Sequence, residues 1–319
     1  MEPPILITGA SGCVGTSAVK YMLEHGHTPI SFSRSAGSPE GIETIAGDIT
    51  SLEDISHAIK KVNPIRIIHL AGFQTPDCQA MPFKGMDVNA IGTSNLLRAA
   101  SAPGTRVDRV VFASSAAVYG SRSLYARPTV TTNDPVLPPG LYGYWKYVGE
   151  GMCQAFNMET GASTVSLRFA TTYGPGRDRG LTSAPTTALK AAALGIDYDI
   201  PYQGREHYHY VDDVGAAFAV AATAPYEGCG AYNLRGDTVE TAEFCRKLRS
   251  AAEAMNLQPS NIRISEDASA MPFACDLDAE ATIQAFPDMP LTPLDQGIED
   301  SLNYFADQAK AGILTNIDS

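Results

Sequence analysis

Apolar residues in the first half of the chain come in short runs that alternate with stretches at helical spacing. Pro4–Thr8 is a compact apolar run and predicts a strand. Cys13–Glu24 then places Val14, Ala18, Tyr21 and Met22 at helical intervals, with Gly26 just past the end. Thr28–Ser33 predicts a second strand and Glu43–Ala46 a short third. Ser51 reads as the N-cap of a helix to Val62, with Asp54 at the capping-box position. Ile65–Leu70 is a strand rich in β-branched residues; a helix over Met86–Ala100 and a strand over Val107–Ala113 follow. Prolines at 128, 135, 138 and 139 mark a surface loop between Arg122 and Gly140. Tyr142–Glu159 and Thr164–Phe169 repeat the helix–strand pair. Regular alternation of this kind implies an α/β chain whose doubly wound parallel sheet is covered on both faces.

Beyond Tyr173 the pattern is irregular. Helices are predicted over Leu181–Leu194, Val214–Thr223 and Thr241–Met255, with short strand-like pieces between them. The chain therefore divides into a sheet domain over 1–172 and a smaller, partly discontinuous α/β lobe over 173–319. A segment near 207–225 is expected to return to the first domain.

Composition narrows the function classes. The 319 residues are 44% hydrophobic and 18% charged, enough apolar content for a sizeable core and too much for global disorder. The net charge is -12, from 23 Lys+Arg against 35 Asp+Glu. Phosphate-rich surfaces need clustered positive charge, so neither a nucleic acid nor an anionic membrane is expected as a partner. The longest apolar run, near Ala216–Ala222, falls short of the ~20 residues of a membrane span. The N-terminus carries no basic region followed by an apolar one, so a cytoplasmic location is expected. The six cysteines are scattered with no CxxC pair, which fits a reduced compartment and predicts no metal site.

The first strong motif follows the first strand. Thr8-Gly9-Ala10-Ser11-Gly12-Cys13-Val14-Gly15 opens the first helix. Gly9 permits a tight turn, Gly12 lets backbone approach a pyrophosphate, and Gly15 lets helix pack on strand. Ser11, Cys13 and Val14 complete a turn whose backbone N–H groups, aided by the helix dipole, would hold the anion. In its strand–turn–helix context the motif predicts a Rossmann-type dinucleotide site. Its G-x-x-G-x-x-G spacing resembles the short-chain dehydrogenase/reductase superfamily, in particular the extended branch, the NAD(P)-dependent epimerase/dehydratase family.

The cofactor choice is read at the end of the second strand. Dinucleotide folds that select NAD place a carboxylate there, on the ribose 2′-OH. This chain has Ser33, Arg34 and Ser35, which favour a 2′-phosphate and hence NADP; NAD is the alternative.

Chemistry is expected where the Val107–Ala113 strand ends, at Ala113-Ser114-Ser115-Ala116-Ala117-Val118-Tyr119-Gly120. Tyr142 and Lys146 lie four residues apart on a helix and share a face. A tyrosine is a poor base at neutral pH, and a neighbouring ammonium stabilises its phenolate. Tyr144, two residues from Lys146, lies on another face. The family resemblance implies a Ser–Tyr–Lys triad and selects Ser115 over Ser114. It makes Tyr142 the acid/base, with Lys146 binding the nicotinamide ribose.

The same resemblance extends over most of the chain. It implies that Asp48, followed by Ile49, hydrogen-bonds the adenine, and that Leu70, Ala71 and Gly72 pass over the cofactor. Asn89 would tie the active-site strands together beside the cofactor. Phe169, Thr171 and the Tyr173–Arg177 segment would cover the nicotinamide, next to Ala113. Tyr210-Val211-Asp212-Asp213-Val214 and Tyr232-Asn233-Leu234 match later markers of the branch. A homodimer built on the Met86–Ala100 and Tyr142–Glu159 helices is expected on the same ground.

The chain departs from relatives that use nucleotide sugars at two pyrophosphate-holding positions. Thr171 stands for an Asn, and Glu206 for an Arg. A carboxylate at a phosphate clamp reverses the sign of the site, although Arg205 or Arg177 could substitute. A small hydroxylated substrate, sugar-like or sugar-acid, is therefore expected, with contacts from Gln74, Ser115, Tyr142, Thr171 and Arg177. A nucleotide-sugar 4-epimerase or dehydratase with tightly held NAD is the alternative. A non-catalytic cofactor sensor is a more distant one, because both Tyr142 and Lys146 are present. His207 and His209 would share a strand face, without a third ligand for a metal.

Overall fold

A computed structural model describes residues 3–34 and 41–318 of the chain. The first unit runs β1 (Ile5–Thr8), α1 (Cys13–Glu24), β2 (Pro29–Ser33), β3 (Thr44–Ala46), α2 (Leu52–Val62) and β4 (Arg66–His69). Ser51 caps α2, its hydroxyl accepting from the Asp54 N–H. The Asp54 carboxylate does not return the bond to Ser51. It accepts from the backbone N–H of Asp48 and so braces the loop that carries Asp48.

The helix expected over Met86–Ala100 is present, starts earlier, at Pro82, and contains a π-helical turn. After α3 (Thr75–Ala80), α4 (Pro82–Met86) passes through a π-helical turn, Asp87–Ile91, into α5 (Gly92–Ala100). Single π-turns inside helices often mark functional positions. β5 (Arg109–Ala113), α6 (Leu141–Thr160) and β6 (Ser163–Arg168) close the first half.

These strands form a parallel sheet completed by β10 (Cys229–Asn233), in the order β10-β6-β5-β4-β1-β2-β3. Alternate residues bury on opposite faces, as the strand period requires. Leu6, Ile67 and Val110 join Ile55, Leu96 and Phe156 on one side. Ile5, Ile68 and Val111 join Val19, Met22 and Phe218 on the other. The second face is covered by α1 and by α8 (Val211–Thr223), which pack on each other. Arg109 ties this layer down by donating to the carbonyls of Ala221, Ala222 and Ala224 at the end of α8.

The lobe contains β7 (Thr171–Tyr173), α7 (Ala184–Leu194), β8 (Tyr198–Gln203) and β9 (Arg205–Tyr210). After α8 and β10 it continues with β11 (Asp237–Glu240), α9 (Thr241–Ala254) and β12 (Ile262–Ala270); α10 (Glu280–Ala285) then packs back against β10 of the large sheet, and α11 (Leu294–Lys310) returns to the lobe. β11-β9-β7 form one small sheet and β12-β8 another. The lobe's core joins Tyr173, Leu189, Tyr208, Phe244, Ile298, Leu302 and Phe305. The carboxyl ends of β1, β4, β5 and β6 face this lobe, and the crevice between them holds the site.

Candidate active site

The crevice has two connected parts. The outer part encloses about 710 Å³ and the inner chamber about 260 Å³, and they share Gly9, Gly12, Cys13, Leu70, Gly72 and Arg177. The expected residues fall along it in order. Gly9, Ser11, Gly12, Cys13, Ser33, Arg34, Asp48, Ile49, Leu70, Ala71 and Gly72 line the outer part. Val14, Gly15, Ala113, Ser115, Tyr142, Lys146 and Phe169 line the inner chamber, while Gln74 and Arg177 line both. Ser35 lies outside the described residues.

The turn after β1 is built for close approach. Gly9 has φ +75°, and a Cβ there would stand 2.8 Å from the Ala71 nitrogen. A Cβ at Gly15 would overlap the Gly9 carbonyl outright. The N-terminus of α1 has no side-chain cap and no acidic residue in its first turn. Its leading N–H groups and the positive end of the helix dipole therefore face the crevice ready for a phosphate. At the far end Asp48 accepts from the N–H and the hydroxyl of Thr50. Those bonds, with the nearby Arg34 charge, hold its carboxyl below the usual range. A phosphate cradle at one end and an ionised carboxylate at the other fit the pyrophosphate and adenosine of a dinucleotide.

Ser115 sits just beyond β5, nearly buried, as the cap of a short 3₁₀ turn over Ala116–Val118; its Oγ accepts from the Ala117 N–H at 3.1 Å. α6 brings Tyr142 and Lys146 to the same place. Lys146 Nζ lies 5.5 Å from the Tyr142 ring centre and 5.2 Å from that of Phe112. Burial pushes the Tyr142 phenol up to about 12, against the opposing pull of the Ser115 hydroxyl and the Arg177 charge. Burial brings the Lys146 ammonium down to about 8. At neutral pH the chain therefore presents a protonated phenol beside a charged amine, and further positive charge beside a phenol favours its ionised form.

A buried network fastens the floor of the site. The Ser114 hydroxyl donates to Glu150, one helical turn beyond Lys146. Arg168 grips both oxygens of Glu150, at 2.8 and 2.6 Å, and donates to the Tyr119 hydroxyl, which donates onward to Asn233. The ends of β5, β6 and β10 are thereby pinned to α6. Sequence reading missed Glu150; its signal was a carboxylate four residues beyond Lys146.

Two expected contacts move elsewhere. Asn89 does not line the crevice. It is buried in the π-turn, where its amide donates to the Phe73 carbonyl and accepts from the Phe73 N–H, so it clamps the loop that follows β4. Thr171 does not line the crevice either, since strand alternation in β7 presents Thr172 instead. The Thr171 hydroxyl points into the lobe and donates to Glu206 Oε2 at 2.5 Å. Glu206 is itself wholly buried, and desolvation raises its carboxyl to about 7. The expected reversal of sign at the crevice wall is therefore not how Glu206 acts; it pairs with Thr171 inside the lobe, and neither offers a donor to the crevice.

His207 and His209 share a strand face but each is engaged. His207 donates to the Leu234 carbonyl and accepts from Thr238, and His209 donates to the Arg235 carbonyl and accepts from the Ala170 N–H. Arg205 lies on the exposed side of β9 and pairs with Asp276. Met271, Pro272 and Phe273 close the chamber from a distant part of the chain, with no local sequence signal.

The model of the NAD dependent epimerase/dehydratase family matches residues 5–234. A UDP-glucose 4-epimerase of Azospirillum brasilense is 26% identical over 243 residues, 69% of this chain and 68% of that protein. A 3-beta-hydroxysteroid dehydrogenase of Mycolicibacterium neoaurum is 33% identical over 186 residues, 54% of this chain and about half, 48%, of its own length. Among solved structures, the UDP-glucose 4-epimerase of Thermus thermophilus in complex with NAD superposes with a TM-score of 0.79 at 23% identity, covering 95% of this chain and 98% of that one. A consensus L-threonine 3-dehydrogenase superposes with a TM-score of 0.84 at 18% identity, covering 96% and 100%. Both superpositions establish the fold.

Proposed function

The chain belongs to the NAD dependent epimerase/dehydratase family, a family of enzymes that use an NAD(P) cofactor, and from that membership we propose an oxidoreductase acting at a secondary alcohol or ketone of a small hydroxylated substrate. One observation carries the reading: Ser115, Tyr142 and Lys146 converge on a chamber of about 260 Å³. Ligand pockets typically enclose roughly 300–1,000 Å³, so this chamber, at about 260 Å³, falls just below that range. When bound, the dinucleotide supplies the acceptor or donor for the hydride on the substrate carbon. Tyr142 takes the hydroxyl proton in the oxidative direction and returns it in the reductive one. Ser115 holds the substrate oxygen beside the phenol. Lys146 keeps an ammonium next to Tyr142 at neutral pH and offers donors to the cofactor ribose.

NADP is the proposed cofactor, since Ser33 and the exposed Arg34 stand where a carboxylate would select NAD. The names of the epimerase relatives favour a nucleotide-sugar reading. Against it, the two clamp positions, Thr171 and Glu206, are consumed by each other. We also propose that the chain pairs with a second copy through α4–α6.

The test is absorbance at 340 nm with NADP or NAD and a panel of C3–C6 polyols, sugars and hydroxy acids. Steady turnover with a small substrate, faster with NADP, is expected. Tyr142→Phe should lower kcat/KM by about 10²–10⁴-fold, the usual worth of a positioned acid/base, while cofactor binding is retained. Interconversion of a UDP-sugar without net cofactor turnover would replace the reading. An active Tyr142→Phe would remove the assigned base.

A further inference from the structure

The charges around the crevice are unevenly distributed. Its outer part is lined by Asp48, Asp77 and Asp178 as well as by cations. The charged residues lining the inner chamber, among those described, are Lys146 and Arg177. A chain with net charge -12 thus builds a chamber with two cations and no lining carboxylate. Lys146 is accounted for by its place beside Tyr142, which leaves Arg177.

Arg177 is held in place by neutral groups. Nη1 donates to Gln74 Oε1 at 2.9 Å and to the Arg179 carbonyl at 2.7 Å, and Nη2 donates to Thr182 Oγ1 at 2.6 Å. No carboxylate among the described residues pairs with it. The neighbouring Asp178 is bound by Lys190 instead. A guanidinium offers five N–H donors, so Nε–H and one Nη2 hydrogen remain for the two oxygens of an anion. The arrangement is built rather than incidental. Gly180 adopts φ +88°, and a Cβ there would stand 3.0 Å from Gln74 Oε1, in the space the pair needs. Gln74 is fixed in turn as the cap of α3. Nearby, Thr172 Oγ1 on the chamber wall is buried and has no hydrogen-bond partner. A partly buried charge without a counter-ion is costly, and a ligand anion removes the cost.

We propose that the substrate is a small hydroxy acid, or the matching keto acid, whose carboxylate pairs with Arg177 while its carbinol or carbonyl carbon lies at Ser115 and Tyr142. This rests on the reading that the chamber holds the substrate. It goes beyond that reading by fixing an anionic end and the residue that recognises it. Gln74 and Thr182 are positioning residues: they aim the guanidinium and donate secondarily.

The experiment uses holoenzyme and C3–C6 hydroxy acids, each paired with its uncharged amide or alcohol. Two signals are followed: ligand binding by quenching of cofactor fluorescence, and turnover at 340 nm. The parent should bind and turn over acids at least about 10²-fold better than their neutral partners. Arg177→Met should erase that preference, mainly through KM, with the cofactor Kd unchanged. Equal binding of acids and amides would overturn the proposal, and so would an Arg177→Met variant whose cofactor Kd rises as much as its KM, because Arg177 would then serve the cofactor phosphates. Acid-selective binding that Arg177→Met abolishes, but without turnover by the parent, would uphold the anion site and refute the oxidoreductase reading. The two failures are thus distinguishable.

Discussion

At the residue scale, Glu206 makes a prediction about stability. Its carboxyl is wholly buried and bonded by the Thr171 hydroxyl on one oxygen, with the Cys275 thiol beside it. Burial raises it from 4.5 to about 7. Between those values the folded chain keeps a proton that the unfolded chain has released. Folded protein then binds more protons than unfolded, so this group's contribution falls as pH rises from about 4.5 to about 7 and stays low above that. A displacement of this size corresponds to roughly 3 kcal/mol at most. His207, lowered to about 4 by burial, acts in the opposite sense over nearly the same window, gaining stability as pH rises. A difference between two chains that share His207 cancels it. Glu206→Gln should therefore gain in Tm relative to the parent as pH is raised from 4.5 to 8, with the gain concentrated below pH 7. A Tm difference constant across that range would show that Glu206 does not titrate as its burial requires.

At the element scale, α6 does two jobs that oppose each other. It must be helical, yet it carries Gly143, Gly149 and Gly151, each of which weakens a helix by about 1 kcal/mol relative to Ala. Gly143 is explained by contact: a Cβ there would overlap the Ala117 carbonyl and meet Pro138 at 2.9 Å. The helix start thus presses directly on the turn that Ser115 caps, and that closeness brings the phenol to the serine. Gly151 faces open space. Gly143→Ala should lower both Tm and kcat/KM, the latter by about 10²-fold, since a misplacement near 1 Å costs that much. Gly151→Ala should raise Tm slightly and leave activity alone. Equal behaviour of the two variants, by thermal denaturation and initial rates, would break the link between α6 docking and catalysis. The Tyr142–Lys146 pair was legible from spacing because helical periodicity is local. The inward turn of Thr171 was not. β7 has only three residues, and which of its threonines faces the crevice depends on its pairing with β9, thirty-five residues away in sequence from Thr171 to Glu206.

At the scale of the whole molecule, the parallel sheet was legible where each strand follows its helix. It was not legible at β10, which joins the edge beside β6 only after the chain has passed through the lobe. α11 went unpredicted although its signal is local: Leu294, Ile298, Leu302 and Phe305 stand at helical intervals, all buried against the lobe core. The surface then poses a question that no single element answers. α4, the π-turn and α6 lie together, and they expose Phe83 at 82%, Ile91 at 45%, Tyr147 at 47% and Val148 at 47%. Large apolar side chains grouped on neighbouring helices are what an interface leaves when one partner is removed. A pair related by a two-fold axis would cover the same patch on both copies and close without further growth. Tyr142 and Lys146 line the crevice from α6, so pairing would also stiffen the scaffold of the proposed acid/base. The chain is therefore expected to sediment as a two-chain species. Phe83→Asp combined with Val148→Asp, both remote from the crevice lining, should yield a folded single chain with weakened activity. A parent chain that sediments as a monomer at micromolar concentration would end the argument, because the exposed patch would then need another partner.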